Sequence, residues 1–177
     1  MSEKTKIVEF IKRAPKAELH LHIEGTLEPS HLFKLAKKNN IKIPFSNVSE
    51  IKSAYNFSNL ESFLKIFYQG SRVLIKEQDF FDLTWAYVMK CRENNVVHAE
   101  IFFDPQTHVN RGINFDIVIN GIYKALQKAN KEFGLTSKII MCFLRHLDEA
   151  SGFKILDQAL LHKDKIVGVG IDSSEIG

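Results

Sequence analysis

The sequence predicts an α/β fold of the (β/α)₈ TIM-barrel type, with only the first four of its eight strands present. Three observations predict it. Four segments with strand character are separated by helical segments, which argues for parallel strands joined by right-handed crossovers. The later strands are nearly continuous apolar runs, as strands buried on both faces should be. Polar residues gather at the C-terminal ends of all four strands, where a barrel carries its site: His20, His22 and Glu24, then Asp104 and Gln106, then Arg145 and His146, then Asp172 and Ser173. No Gly-rich phosphate loop follows the first strand, so a dinucleotide-binding sheet is not supported.

The elements follow in order. Ile7, Val8, Phe10 and Ile11 give Lys4–Arg13 the spacing of a short amphipathic helix, and Pro15 ends it. Ala17–Ile23 alternates, with Leu19, Leu21 and Ile23 on one face and Glu18, His20, His22 and Glu24 on the other. Gly25 and Pro29 punctuate the following loop. Ser30–Asn39 is a helix with Leu32, Phe33, Leu35 and Ala36 as its stripe, and Asn40–Asn59 is a long irregular stretch. Leu60–Ile75 and Asp79–Arg92 are two further helices, and Val96–Phe103 is a strand rich in β-branched and aromatic residues. A loop runs from Asp104 through Arg111-Gly112. The helix Phe115–Phe133, the strand Ser137–Leu144, the helix Glu149–His162 and the strand Ile166–Ile171 complete the chain.

A barrel of this type takes about 250 residues. The chain has 177 and stops at a strand–loop junction, Gly170-Ile171-Asp172-Ser173-Ser174-Glu175-Ile176-Gly177. The expectation is therefore that residues 1–177 are the N-terminal half of a single barrel domain, truncated after the fourth strand. Composition agrees with a globular domain: 45% of residues are apolar and 25% charged. The net charge of +3 is spread along the chain and does not suggest nucleic-acid binding. No apolar run is long enough to span a bilayer, and the mixed-charge N-terminus is not a signal peptide. These features predict a cytoplasmic protein in which Cys91 and Cys142 are reduced thiols. Neither has a second Cys nearby, so neither is expected to ligate a metal. Nothing in the sequence sets the oligomeric state.

His20-Leu21-His22 is the first candidate site. Residues i and i+2 of a strand point the same way, roughly 6.5–7 Å apart. Two imidazoles so placed can converge on zinc, which keeps a position open for water in catalytic sites. Chance alone gives roughly 0.2 such pairs in a chain of this His content, so the pair is weak by itself and gains from its place late in a strand. A third protein ligand is needed. His146, at a strand end, is the best placed of the other histidines, but capping the barrel mouth by hydrogen bonding explains it too. His98 reads as structural; His31 and His162 fall within helices and read as solvated. Asp172-Ser173-Ser174-Glu175 either orients a ligand or satisfies a strand-end turn. Phe57, Phe63, Phe67 and Tyr68 read as core packing.

Several blocks together carry a more specific signal. They are Pro15-Lys16-Ala17-Glu18-Leu19-His20-Leu21-His22-Ile23-Glu24-Gly25-Thr26-Leu27-Glu28-Pro29, Phe57 with Leu60 and Phe63-Leu64, and Ala99-Glu100-Ile101-Phe102-Phe103-Asp104-Pro105-Gln106-Thr107-His108. Arg111-Gly112, Phe143-Leu144-Arg145-His146 and Gly170-Ile171-Asp172-Ser173-Ser174-Glu175 follow in order. This series, over nearly the whole chain, resembles the adenosine/adenine deaminase family, metal-dependent hydrolases on a (β/α)₈ barrel. The resemblance is nearest to the adenine deaminase branch. Adenosine-specific members usually carry Asp where Glu24 stands, and that Asp serves the ribose. A Gly that contacts the purine in those members is replaced here by Glu175.

The resemblance implies a zinc-dependent deamination of adenine to hypoxanthine and ammonia, with a small-molecule purine as the partner and neither nucleic acid nor membrane involved. It implies that His20 and His22 are the first two zinc ligands and that Glu24, Phe67 and Asp172 bind substrate. It assigns no catalytic residue within the chain: the third His ligand, the general-acid Glu, a further His and the last Asp ligand are expected beyond Gly177. His146 matches the family's arginine–histidine strand end rather than a ligand. Adenosine as substrate, and a non-catalytic half-barrel that works only by association, are the alternatives. Iron or manganese would also suit imidazole and carboxylate ligands.

Overall fold

A computed structural model describes residues 2–175. Ile176 and Gly177, the last residues of the predicted strand-end turn, lie outside the described residues. The elements run α1 (Glu3–Arg13), β1 (Lys16–His22), a 3₁₀ turn (Ile23–Thr26), α2 (Pro29–Lys38), α3 (Val48–Ala54), α4 (Leu60–Ser71), α5 (Glu77–Glu93), β2 (Val96–Phe103), α6 (Pro105–Val109), α7 (Phe115–Phe133), β3 (Thr136–Leu144), α8 (Glu149–Leu160) and β4 (Ile166–Asp172). The four strands form one parallel sheet in the order β1-β2-β3-β4. Chain order and strand order coincide, as repeated right-handed crossovers require.

One face of the sheet is the core. Ala99, Ile101 and Phe103 of β2 and Ile139 and Met141 of β3 are buried there, packed with the buried faces of α5 and α7. The two helices approach closely because residue 121 is Gly. A Cβ there would lie 2.5 Å from the Glu77 carbonyl oxygen and 2.7 Å from the Phe80 Cβ. Asn114 caps the start of α7 through the Asp116 amide, and Gly134 ends it at φ 75°, a left-handed conformation that glycine takes without strain. The other face carries His22, Phe102, Ile140 and Gly168 as one row across the four strands.

The outermost strands are less covered. Val169 and Ile171 of β4 share the core face with Met141 and Phe143, yet are 57% and 61% exposed. The amphipathic pattern of α1 is present, but no residue of that helix is buried. Among the described residues, no helix is long and apolar enough to cross a membrane.

Three expectations need correction. The stretch Asn40–Asn59 is not wholly irregular, since α3 forms there, with Asn47 as its cap and Ile51 buried. A short helix, α6, interrupts the predicted 104–112 loop. The strict alternation of β1 fails as well. Glu18 pairs with Ala99 and Leu21 with Ile101, so β1 holds one residue more than β2 over this span. Such a bulge re-aims the side chains on one side of it. Glu18 therefore falls on the core face, where its carboxylate meets the Tyr87 hydroxyl at 3.5 Å, while His20 and His22 keep the opposite face with Phe102.

Candidate functional site

The bulge in β1 aims His20 and His22 into the concave side of the sheet. Their rings lie 5.5 Å apart, and both pack on Phe102, at 4.6 and 5.3 Å. At this point β1 stops and the chain tightens into the 3₁₀ turn, which buries Ile23 and Glu24 together. The next residue on the concave face of β2 after Phe102 is Asp104, buried at the strand's end. On β3 the matching residue is Cys142, opposite Gly170 on β4. Asp172 closes β4.

These strand ends converge. His22 Nδ1 lies 3.1 Å from Asp172 Oδ2 and 3.5 Å from Asp104 Oδ1. Burial alone would lower the His22 pKa, but Asp104 and Asp172 outweigh it and raise it to about 10. The Asp104 carboxyl is pushed well above the usual carboxylate range, first by burial and then by the charge of Glu24. Asp104 Oδ1, Asp172 Oδ1 and Glu24 Oε2 are buried and have no hydrogen-bond partner. One ligand atom from each of His22, Asp104, Cys142 and Asp172 can be chosen so that all lie within 4.8 Å of one another. These nitrogen, oxygen and sulfur donors, with buried oxygens among them, are a set that could hold a divalent cation. Cys142, which the lack of a neighbouring Cys argued against, belongs to that group; His20 does not.

Glu24 is held by a buried chain of donors. Its Oε1 accepts the Asp104 amide at 3.1 Å and His108 Nε2 at 3.0 Å. On the far side of the ring, Arg111 Nη2 donates to His108 Nδ1 at 2.8 Å. Since Arg only donates, Nδ1 is the acceptor and Nε2 carries the hydrogen. His108 is fully buried, and burial followed by the Arg111 charge holds its pKa well below the ordinary value. The contact to Glu24 is thus a hydrogen bond from a neutral imidazole, not an ion pair. Arg111 also donates to the carbonyls of Ser71, Arg72 and Leu74 at the end of α4. Burial raises the Glu24 carboxyl to about 7, against the lowering effect of its hydrogen bonds and of His22.

A cleft of about 540 Å³ opens over these groups, with His20, His22, Phe67, Tyr68 and Asp172 among its walls. A smaller cavity of about 100 Å³ reaches from Phe67 back to Glu24. The aromatic residues of α4 and the segment before it form a continuous row: Phe57–Phe63 5.2 Å, Phe63–Phe67 5.6 Å and Phe67–Tyr68 5.4 Å. Phe57 and Phe63 are 37% and 36% exposed, so this row walls the cleft and is not core packing. Tyr68 reaches across to Ser173 Oγ at 2.6 Å, and His146 Nδ1 meets the same oxygen at 2.7 Å. Ser173 sits at φ 82°, a conformation uncommon for a residue with a side chain. His146 is therefore bonded at the mouth and stands apart from the cation group.

The predicted site residues His20, His22, Phe67 and Asp172 thus line the cleft, and Glu24 lines the smaller cavity that Phe67 shares with it. Asp104, noted in the sequence only as a strand-end residue, lines the cleft too, and Cys142, His108 and Arg111 lie behind it without having been singled out. Only the place of Asp104 at a strand end could have signalled its role. His162 departs from expectation: it lies past the end of α8, stacked on Phe115 at 5.5 Å and bonded to Asp116 at 2.6 Å, and is not a solvated helix residue. His31 is in α2 as expected, but half-buried, and burial lowers its pKa. His98 bonds Thr136 at 2.7 Å, a structural contact.

The profile of the adenosine deaminase family matches residues 15–177. An adenine deaminase of Psychrobacter cryohalolentis is 58% identical over 171 residues, covering 97% of this chain and 52% of that protein. One from Wolinella succinogenes is 57% identical over 169 residues, 96% of this chain and 51% of that protein. The crystal structure of adenine deaminase from Arthrobacter aurescens superposes with a TM-score of 0.88 at 44% identity, over 92% of this chain and 50% of that one. An amidohydrolase from Burkholderia ambifaria with bound Zn superposes at 0.83 over 99% of this chain and 48% of its own, and at 23% identity it supports the fold alone. The chain spans about half the length of the relatives it matches.

Proposed function

The chain belongs to the adenosine deaminase family, and on that premise we propose that it supplies the substrate cleft and part of the metal site of a hydrolytic purine deaminase acting on adenine. The observation that carries this reading is Glu24, a buried carboxyl at the end of a cavity walled by aromatic rings. A flat heterocycle suits the row Phe57, Phe63 and Phe67. A carboxyl near 7 is in a position either to accept a hydrogen bond from a purine N–H or to donate one to a ring nitrogen. His108 and Arg111 fix that carboxyl from behind. The longer Glu, where adenosine-specific members usually have Asp, fills space a ribose would need, which favours the free base.

Zinc is the metal that His20 and His22 suit best; when bound, it makes hydroxide available near neutral pH by lowering the pKa of water. Asp172 closes the cleft beside His22 and orients polar groups there. The third His ligand, the general-acid Glu and the last Asp ligand are proposed to lie beyond Gly177. The 177-residue chain on its own is then expected to release no ammonia from adenine, and measurable zinc-dependent turnover by it would overturn the assignment of those groups. Substrate choice is tested in a full-length relative such as the Psychrobacter enzyme, by comparing Glu with Asp at the position that matches Glu24. The ratio of adenine to adenosine turnover should fall about tenfold or more; an unchanged ratio removes Glu24 from the specificity argument.

A second reading is favoured by the exposed Val167, Val169 and Ile171 on β4. In it the chain is a module that acts only when another polypeptide covers that strand. A monomer by light scattering that melts cooperatively argues against it.

A further inference from the structure

We propose that this chain by itself holds a divalent cation through His22, Asp104, Asp172 and Cys142, with the Cys142 sulfur as a ligand. The site is distinct from the His20–His22 pair and needs no residue beyond the four strand ends. It shares His22 and Asp172 with the deaminase reading and does not rest on it.

The argument begins with separation. Four ligands around zinc, at about 2.0–2.3 Å each, stand about 3.3–3.8 Å from one another. Two pairs are already near that spacing, His22 to Asp172 at 3.1 Å and His22 to Asp104 at 3.5 Å. The whole set of ligand atoms fits within 4.8 Å, about 1 Å beyond the widest spacing around zinc. Satisfaction comes next. Asp104 is 1% exposed, and its Oδ1 has only the 3.5 Å approach of His22 Nδ1; Asp172 Oδ1 is buried and without a hydrogen-bond partner. A buried polar atom left unpaired costs roughly 1–3 kcal/mol, and a cation is one of the few partners that would serve both oxygens together.

The packing around the sulfur supports the assignment. Cys142 is opposite Gly170, and a Cβ at 170 would lie 3.1 Å from Cys142 Sγ and 3.4 Å from the Phe102 ring. Glycine at 170 leaves that side of the sulfur uncrowded. On binding, the proton on the His22 nitrogen that meets the metal and the thiol proton both pass to solvent, and imidazole and thiolate donate their electron pairs without any redox change. Imidazole, carboxylates and thiolate together favour zinc or cobalt over the hard cations magnesium and calcium.

The test is titration of the purified 177-residue chain with Co(II), read by absorption, and with Zn(II) in competition with a chromophoric chelator. One equivalent of cobalt should bind with an intense near-ultraviolet sulfur-to-metal charge-transfer band. Cys142→Ser should abolish the band, and Asp104→Asn should weaken zinc affinity about tenfold or more. Cys91→Ser, whose thiol sits in α5 away from the site, should leave the band in place. His20→Ala is the discriminating arm, and the band should survive it. Cobalt binding that disappears with His20 but carries no sulfur band overturns the proposal while leaving the His-Leu-His reading standing. A cooperatively folded chain, checked by circular dichroism, that binds no cobalt at all overturns it as well.

Discussion

Two buried carboxylates in this chain are built in opposite ways. Asp79, at the start of α5, is 0% exposed. It accepts hydrogen bonds from Lys38 at 2.9 Å, from Asn39 at 2.7 Å and from the amides of Ile75 and Lys76 at 3.1 and 3.0 Å. Burial would raise its pKa, but Lys38 and these amides hold it below the ordinary value. Asp104 is 1% exposed and lies among other acids, with one oxygen unpartnered, and its pKa moves the other way. The difference separates two uses of a buried charge. A carboxylate whose lone pairs are filled by the protein holds the fold together, whereas one left short of donors is a place for something the protein has yet to bind.

The largest expected effect breaks the first half of that comparison. Asp79→Ala strands the Lys38 ammonium, the Asn39 amide and two backbone N–H groups, and should cost about 3 kcal/mol of stability. Urea unfolding followed by circular dichroism measures it. A loss under about 1 kcal/mol would mean that the four donors find water instead and that Asp79 is not structural.

Arg111 tests the link between the regions. It ties three carbonyls near the end of α4 to His108, and through His108 to Glu24. Arg111→Met keeps the aliphatic stem but removes every donor, and should cost about 2 kcal/mol. It also frees His108 Nδ1 to take its own hydrogen, so the ring can change tautomer and leave Glu24 without its Nε2–H. Nitrogen-15 shifts of the His108 ring report the tautomer, and an unchanged Nε2–H form would show that Arg111 does not set it.

A smaller effect sharpens the comparison through pH. Asp79 has a folded pKa below its unfolded one, so its contribution is fully present above the unfolded value of about 3.9 and is lost as pH falls through the folded pKa. The chain should therefore lose stability on acidification from about pH 5 downward, and part of that slope should vanish in Asp79→Asn. Unfolding midpoints across that range check it. An identical slope in the variant would place the acid sensitivity elsewhere.

How far these regions were legible in the sequence depends on the range of the interactions that build them. Strands with period-2 or continuous apolar patterns declare themselves, and so does a His pair two residues apart. Asn47 and Glu50 also carried a local capping signal, since the Asn47 side chain takes the Glu50 amide and the Glu50 carboxylate takes the Ser46 amide. That signal sat in a stretch too polar for a periodicity reading to find α3. The bulge in β1 is not visible locally, because an extra residue has meaning only against the partner strand. Glu24 and His108 are 84 residues apart, and Cys142 gains its role from Gly170 across a ladder. Pairings of this kind arise from the sheet register, and a lone cysteine in a sequence says nothing of the acids that tertiary packing sets beside it.

The smallest expected effect is the sharpest test of the comparison. Asp104→Asn in the metal-free chain removes a charge that its surroundings do not welcome. It keeps the side chain's shape, and it leaves the Asp104 backbone amide free to donate to Glu24 as before. What is lost is one carboxylate near His22, which still has Asp172 at 3.1 Å. What is gained is relief from the neighbouring charges of Glu24 and Asp172 and a lower cost of burial. The two should nearly cancel, so that stability in chelator-treated buffer changes by less than about 1 kcal/mol in either direction. A loss as large as that of Asp79→Ala, in the same urea experiment, would show that Asp104 is a structural residue after all. A neutral or stabilising substitution would mean that the fold tolerates this acid without needing it, as expected of a group kept for a ligand.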